Sequence, residues 1–359
     1  MTRRSLLFGS LAFALRKDKL DPALALLEQQ TASKAVTAAV LDVQGSGQTV
    51  SRAFGAARTP SALFLLASLT KPMTATAVML LSDRGELSIE DPVRKFIPEF
   101  HGGDRDRTLI RHLLTHSSGL PDMLPENTEL RKRHAPLADF VAATCRTPLL
   151  FAPGTQVQYQ SMGILLASDI VRRITRQPFP EFLRQQVFQP LGMRQTSLGM
   201  GGRKIADTMQ CQVEEHNDYD WNSEYWRNLG SPWGGAHAPA ADLSRFLRSF
   251  VEPDKSVLKP ATAASMITDH NPGLNEPWGL GWMLKGAKFA RACSPRTFGH
   301  GGSTGTEIWL DPASGLSFVL LTTKPAAQSQ KTLLDPVSDL VSESLQSGPV
   351  QNKSVQNMK

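Results

Sequence analysis

Apolar residues recur along this chain with two different periods, and the two are unevenly distributed. Leu20, Ala23, Leu24, Leu26 and Leu27 fall on one face if residues 20–33 are helical. Thr37 to Gln44 is a β-like run, Gly45-Ser46-Gly47 breaks it, and Thr49–Phe54 reads as a returning strand. A helix rich in Ala and Met follows over about 69–84, with Pro72 in its first turn and Gly85 as its stop. From 86 to 250 the pattern is short helices joined by long loops bearing Pro and Gly. The most periodic helices span about 136–146 and 161–176, and a third spans 241–251. Strand character returns only late, at Leu280–Leu284, Glu307–Leu310 and Leu316–Thr323, with a turn at Asp311–Gly315. An amphipathic helix over 331–346 closes the ordered part, and the polar tail 347–359 is expected to be disordered.

Strands at both ends with helices between them predict an α+β fold. The simplest burial is one antiparallel sheet built from the N- and C-terminal segments, flanked by helices, with a mostly helical subdomain inserted. One domain over about 20–346 results, its sheet part 20–85 and 250–346, its helical part 86–250.

Composition narrows the function classes. With 359 residues, 41% hydrophobic and 20% charged, the chain is an ordinary soluble globular protein. The net charge of +6 comes from scattered Lys and Arg. The densest cluster, Arg131-Lys132-Arg133, reads as a solvated face, and no nucleic-acid module accompanies it. Cys145, Cys211 and Cys293 lie far apart, so at most one disulfide could form. No H-E-x-x-H, phosphate loop or dinucleotide fingerprint occurs, so neither metal nor cofactor is expected. The N-terminus departs from this picture. Arg3-Arg4, an apolar run to Leu15 and the small-x-small Ala12-Phe13-Ala14 read as an export signal over 1–14, with a twin-arginine variant as an option. Such a run is too short to span a bilayer, so membrane association would come only from an uncut signal.

Candidate chemistry begins at Ser68-Leu69-Thr70-Lys71, which puts a hydroxyl and an amine on one helix face, about 5–6 Å apart at Cβ. Serine needs an adjacent base to act as a nucleophile, and lysine serves only if its pKa is lowered. Ser68 could equally be a helix N-cap. A second copy, Ser256-Val257-Leu258-Lys259, has Pro260 behind it and reads as a turn. Tyr159 follows the Pro153-Gly154 turn, on a loop before a helix, where a phenol can shuttle a proton if nearby cations stabilise its phenolate. The stretch Phe298-Gly-His300-Gly301-Gly302-Ser303-Thr304-Gly305 is rich enough in glycine to bring backbone N–H groups to a substrate carbonyl. Gly301–Gly305 also fits the G-x-S-x-G elbow. That motif needs a helix after Ser303 and a later histidine; the following pattern is a strand, and no histidine follows His300.

Further markers occur in one order: Leu113-Leu-Thr-His-Ser-Ser-Gly-Leu120, Phe151-Ala-Pro-Gly-Thr155 before Tyr159, Pro190-Leu-Gly-Met193, Trp233-Gly-Gly235, Gly279-Leu-Gly-Trp282 and Gly299-His-Gly-Gly302. Together with Ser68–Lys71 they resemble the penicillin-recognising serine hydrolases, in the branch of class C β-lactamases, D-alanyl-D-alanine carboxypeptidases and β-lactamase-like esterases. The similarity runs from about 22 to 345. It implies Ser68 as nucleophile, Lys71 and Tyr159 as proton carriers, the N–H groups of Ser68 and Ser303 as oxyanion hole, and no cofactor. Ser161 stands where the family has the asparagine of Y-x-N. His300-Gly301-Gly302 stands where it has K-T-G or a cationic variant. Ser161, His300, Gly301 and Gly302 are thus the expected substrate contacts, and loss of the lysine disfavours carboxylate-bearing substrates. The resemblance implies an exported hydrolase of small esters or amides working through an acyl-Ser68. A D-amino-acid peptidase on cell-wall peptides, an acyltransferase and a non-catalytic binding module are the alternatives. Loops 121–135 and 205–235 carry the specificity, with Tyr219, Trp221, Tyr225, Trp226 and Trp233 either lining a cleft or packing.

Overall fold

The computed structural model describes residues 14–284 and 289–346. All but the last residue of the expected export segment, and the whole tail from 347, lie outside the described residues. The main sheet takes β1 (Ala38–Gly45) and β2 (Gln48–Gly55) from the start of the chain, and β3 (Phe298–Gly302), β4 (Thr306–Asp311) and β5 (Leu316–Thr322) from its end. Its order is β2-β1-β5-β4-β3, antiparallel throughout. The expected union of the two ends is therefore made by β1 against β5, with Asp42 opposite Val319. Ser46 and Gly47, at φ 51° and 74°, form the two-residue turn between β1 and β2. Positive φ at both positions matches the right-handed twist of a tight hairpin.

Successive side chains on a strand point to opposite faces, and both faces of this sheet are covered. Ala39, Leu41, Val43, Phe318 and Leu320 join Leu27, Val337 and Val341 of α1 (Asp21–Ala32) and a C-terminal helix in one core. Ala38, Val40, Val319 and Leu321 face a larger core. That core includes α2 (Thr70–Asp83), α3 (Leu137–Arg146), α4 (Met162–Thr175) and α5 (Ala240–Arg248). Asp42 is buried on the α5 side, where it accepts Ser244 Oγ at 2.6 Å and Gln44 Nε2 at 3.0 Å, tying α5 to the sheet. Residues 241–251 therefore belong to the sheet layer, not to the helical part where the boundary at 250 put them.

Two expected elements differ. Leu280–Leu284 is not a strand. Gly281 turns at φ 83°, its N–H donates to Leu114 O at 2.9 Å, and a Cβ there would strike Ala75 of α2. Only Met283 bridges to the outer edge of β3, at Gly299. The closing helix ends earlier than 346: helical backbone runs from Ala326–Ser329 through a π turn at Gln330–Leu334 into α6, Asp335–Ser342. Leu345–Gln346 then pairs with Ala14–Leu15. No helix among the described residues is long and apolar enough to cross a membrane.

Candidate active site

Phe64–Leu65 pairs with Ala236–Ala238, and the chain then makes one 3₁₀ turn, Ala67–Leu69, before α2 begins at Thr70. Ser68 sits in that turn and caps nothing, which removes the N-cap reading. Ala67 before it is held at φ 48°, in the left-handed region that costs a non-glycine residue about 1–2 kcal/mol. Hydrogen bonds hold the turn against its neighbours. Thr70 Oγ1 donates to Ala67 O at 2.7 Å and accepts from Ala236 N–H at 3.1 Å. Thr304 Oγ1 donates to Leu65 O at 2.8 Å and Thr306 Oγ1 to Leu66 O at 2.9 Å. The β3–β4 turn that carries Ser303 is thereby fixed to the segment that carries Ser68. Ser303 lies between two strands, as the rejection of the elbow motif requires.

Lys71 lies in the first turn of α2 and is 1% exposed. Its ammonium donates to Ser68 Oγ at 3.0 Å and to Trp233 O at 3.1 Å, and sits 4.7 Å from the Tyr159 ring centroid. Burial pushes its pKa down from 10.5 to about 7, against a smaller upward pull from the Asp122 carboxylate. Tyr159 moves the opposite way: burial raises it, with Ser68 opposing and Asp122 adding. At neutral pH the tyrosine is therefore a phenol and Lys71 is partly a free amine. Burial thus works against the phenolate that a neighbouring cation would favour, and Tyr159 enters the site as a proton donor.

His116, within the Leu113–Leu120 marker, stacks at 4.6 Å from the Tyr159 ring and 4.5 Å from Trp278. Its Nδ1 accepts the Gln160 N–H at 3.1 Å, and burial holds it neutral. It acts as a wall that orients Tyr159. The second Ser-x-x-Lys is no site: Ser256 Oγ accepts Leu258 N–H, while Lys259 Nζ binds Asp83 O at the end of α2.

A cleft of about 300 Å³ opens over Ser68, lined among others by Tyr159, Ser161, Ser303, Asp122, Arg131 and Trp233. The expected substrate contacts divide. Ser161 lines the cleft, but its hydroxyl donates to Asp122 Oδ1 at 2.6 Å, so Asp122 presents the polar group there. His300 is 1% exposed, its Nδ1 faces Gly301 O at 2.7 Å, and its ring stands 6.1 Å from Tyr159. His300, Gly301 and Gly302 do not line this cleft. Gly302 is a packing glycine, since a Cβ would strike Thr306 Oγ1 and Leu66 O, whereas Gly301 has open space. Of the aromatic residues, Trp221, Trp226 and Trp233 line the cleft. Tyr225 instead stacks on His134 and donates its hydroxyl to Ala135 O. Asp122 and Arg131 were not among the expected site residues. The cue for Asp122 is its place directly after the Leu113–Leu120 marker; Arg131 has no local cue. The three cysteines are buried and free, and no group of three or more His, Cys, Asp or Glu among the described residues could hold a metal ion.

Comparison with known proteins agrees with this geometry. The β-lactamase family model matches residues 24–340. The chain is 25% identical to the D-alanyl-D-alanine-carboxypeptidase/endopeptidase AmpH of Escherichia coli, over 95% of this chain and 97% of that one. It is 38% identical to esterase EstB of Burkholderia gladioli, over 37% of each chain. The structure of EstCE1, a hydrolase with promiscuous acyltransferase activity, superposes with a TM-score of 0.72 at 20% identity, covering 91% of this chain and 98% of that chain. The Ser68–Lys71–Tyr159 cluster stands on an antiparallel sheet shared with such proteins, and this chain belongs to the β-lactamase family of serine hydrolases.

Proposed function

We propose that the protein is an exported hydrolase of small esters or amides that works through an acyl-Ser68 intermediate. One observation carries the reading: the fully enclosed Lys71 amine, lowered to about 7, lies 3.0 Å from Ser68 Oγ. Neutral Lys71 accepts the hydroxyl proton as Oγ bonds to the substrate carbonyl carbon. The resulting oxyanion faces the backbone N–H groups of Ser68 and Ser303; the Ser303 N–H donates to no protein acceptor among the described residues. The carbonyl carbon then sheds its leaving group, which takes the proton from Lys71 through the phenol of Tyr159. Water repeats the sequence to release the acid and restore Ser68. An alcohol in place of water gives acyl transfer by the same residues. No step needs a metal or a cofactor.

A second reading is peptidase action on D-amino-acid peptides. It is favoured by the end-to-end match to AmpH, where the match to EstB covers a third of the chain. Export rests on Arg3-Arg4 and the apolar run to Leu15, with one catalytic domain over about 20–346 remaining after cleavage near Ala14. The N-terminal sequence of the secreted protein tests that.

The deciding experiment mixes enzyme with 4-nitrophenyl acetate and follows nitrophenolate release and intact mass. Wild type gives a burst and an acyl adduct on the peptide containing Ser68, and Ser68→Ala gives neither. Equal hydrolysis by both proteins, across esters, a chromogenic cephalosporin and D-Ala-D-Ala peptides, ends the proposal.

A further inference from the structure

Arg131 is a cation lining this cleft, and among the described residues it forms no direct salt bridge. It belongs to the sequence cluster 131–133, whose members part company in the fold. Arg133 pairs with Asp139 at 2.8 Å, whereas Arg131 turns toward the cleft that holds Ser68, Tyr159 and Ser303. Its guanidinium carbon lies over Trp226, 4.0 Å from the ring centroid, and 6.0 Å from that of Tyr219. Nη2 donates to Tyr219 O at 2.6 Å, and Nε is enclosed without a hydrogen-bond partner. Nη1 donates to no protein group among the described residues.

Carboxylates lie near it without pairing directly: Glu214, Glu215 and Asp220 share with it a shallow pocket beside the cleft, and no salt bridge joins any of them to Arg131. Asp122, across the same cleft, accepts from Ser161 and makes no ion pair with Arg131. Asp220 attracts it from behind, but its carboxylate accepts the N–H groups of Asn217 and Asn222. Burial raises the Tyr225 phenol, so it supplies no negative charge at pH 7. A partly buried cation that makes no direct ion pair is costly, and a buried donor without an acceptor adds to that cost. The aromatic faces hold the planar fork stiffly, which suits it to two-point binding of a carboxylate.

We propose that Arg131 binds a carboxylate on the substrate, remote from the scissile bond, so that this hydrolase favours ester or amide substrates bearing a free acid. This rests on the acyl-Ser68 reading. It also reverses the expectation drawn from His300: the cation that the family places on the sheet edge is supplied here from the opposite, helical wall of the cleft.

The test compares kcat/KM for 4-nitrophenyl hydrogen adipate with that for its methyl ester, taking Ser68→Ala as the blank. Wild type favours the acid, and the preference falls as ionic strength rises from about 0.02 to 0.5 M. In Arg131→Gln the acid-to-ester ratio drops about 10- to 100-fold, the range that a charge-assisted hydrogen bond supplies. Arg131→Lys keeps the charge without the fork and gives an intermediate ratio. An unchanged ratio in Arg131→Gln overturns the proposal. So does a wild-type ratio that neither favours the acid nor responds to salt, a measurement that needs no folded variant. Failure of the acyl-Ser68 reading looks different, because wild type and Ser68→Ala would then consume both esters at equal rates.

Discussion

The base at this site is set by burial, and its pH dependence follows with a definite sign. At a pKa of about 7, half of the Lys71 amines are neutral at pH 7. At the ordinary 10.5, about 3 in 10,000 would be, so burial raises the fraction of competent base roughly a thousandfold. Acylation requires the neutral amine, so its rate should rise with pH through a midpoint near 7. Asp122 holds that midpoint up, because its negative charge favours the ammonium. Replacing Asp122 with Asn removes the charge but leaves an oxygen to accept from Ser161. The midpoint in Asp122→Asn should therefore move toward acid. The measurement is the burst rate with 4-nitrophenyl acetate from pH 5 to 10, in stopped flow. A wild-type midpoint near 10 would show that burial does not bring the Lys71 amine to neutral pH, and an alkaline shift in Asp122→Asn would refute the electrostatic argument.

Lys71→Met removes an amine whose folded pKa lies below its unfolded one. Wild-type stability should thus rise between pH 7 and 10.5, and the stability gap between variant and wild type should shift against the variant over that window in thermal melts. Gly301→Ala places its Cβ in open space and should leave the melting temperature within a degree or two, while Gly302→Ala drives a methyl into Leu66 O and Thr306 Oγ1 and should cost about 1–3 kcal/mol in urea unfolding. Equal effects of the two would refute the packing role of Gly302. His300→Lys adds a cation beside Lys71 and His116; the burst midpoint should move toward acid and carboxylate-bearing esters should gain relative to neutral ones, and no change in either would remove His300 from the account.

Local patterns found the elements whose stability is mostly local. The hairpin at 45–48 was legible because Ser46 and Gly47 carry its turn chemistry, and α1, α3 and α4 because their apolar faces repeat at helical spacing. Leu280–Leu284 misled because its apolar run is bent by Gly281 against α2, a contact set by residues two hundred positions earlier. In the site, Ser68, Lys71 and Tyr159 were legible through their spacing and order. Asp122 was marked only by its place just after Leu113–Leu120, and Arg131 by nothing, since no local pattern distinguishes a solvated charge from one that the fold turns into a cleft. The triplet 131–133 makes the point: three adjacent cations, of which Arg133 forms a surface ion pair and Arg131 lies over a tryptophan.

The placement of charge explains why the sheet edge can carry His300. Lys71 must lose its proton near neutral pH, and a second cation a few ångströms away would push it lower still, which weakens it as a base. With burial alone bringing the amine to about 7, the neutral wall of His116, Tyr159 and Trp278 around it suffices. A substrate-binding cation is then better stationed away from Lys71. Arg131, on the short helix Asn127–Lys132 with Trp226 of the helix Glu224–Leu229 as its platform, occupies that station, and Asp122 in the same cleft is an anion that steadies the Lys71 ammonium after it accepts the proton. Nucleophile activation thus centres on α2 with Tyr159 from the loop before α4, while charge selection falls to Arg131 on the helix Asn127–Lys132. Each can change without disturbing the other, which is how one catalytic cluster can serve proteins as different in substrate as a carboxypeptidase and an esterase.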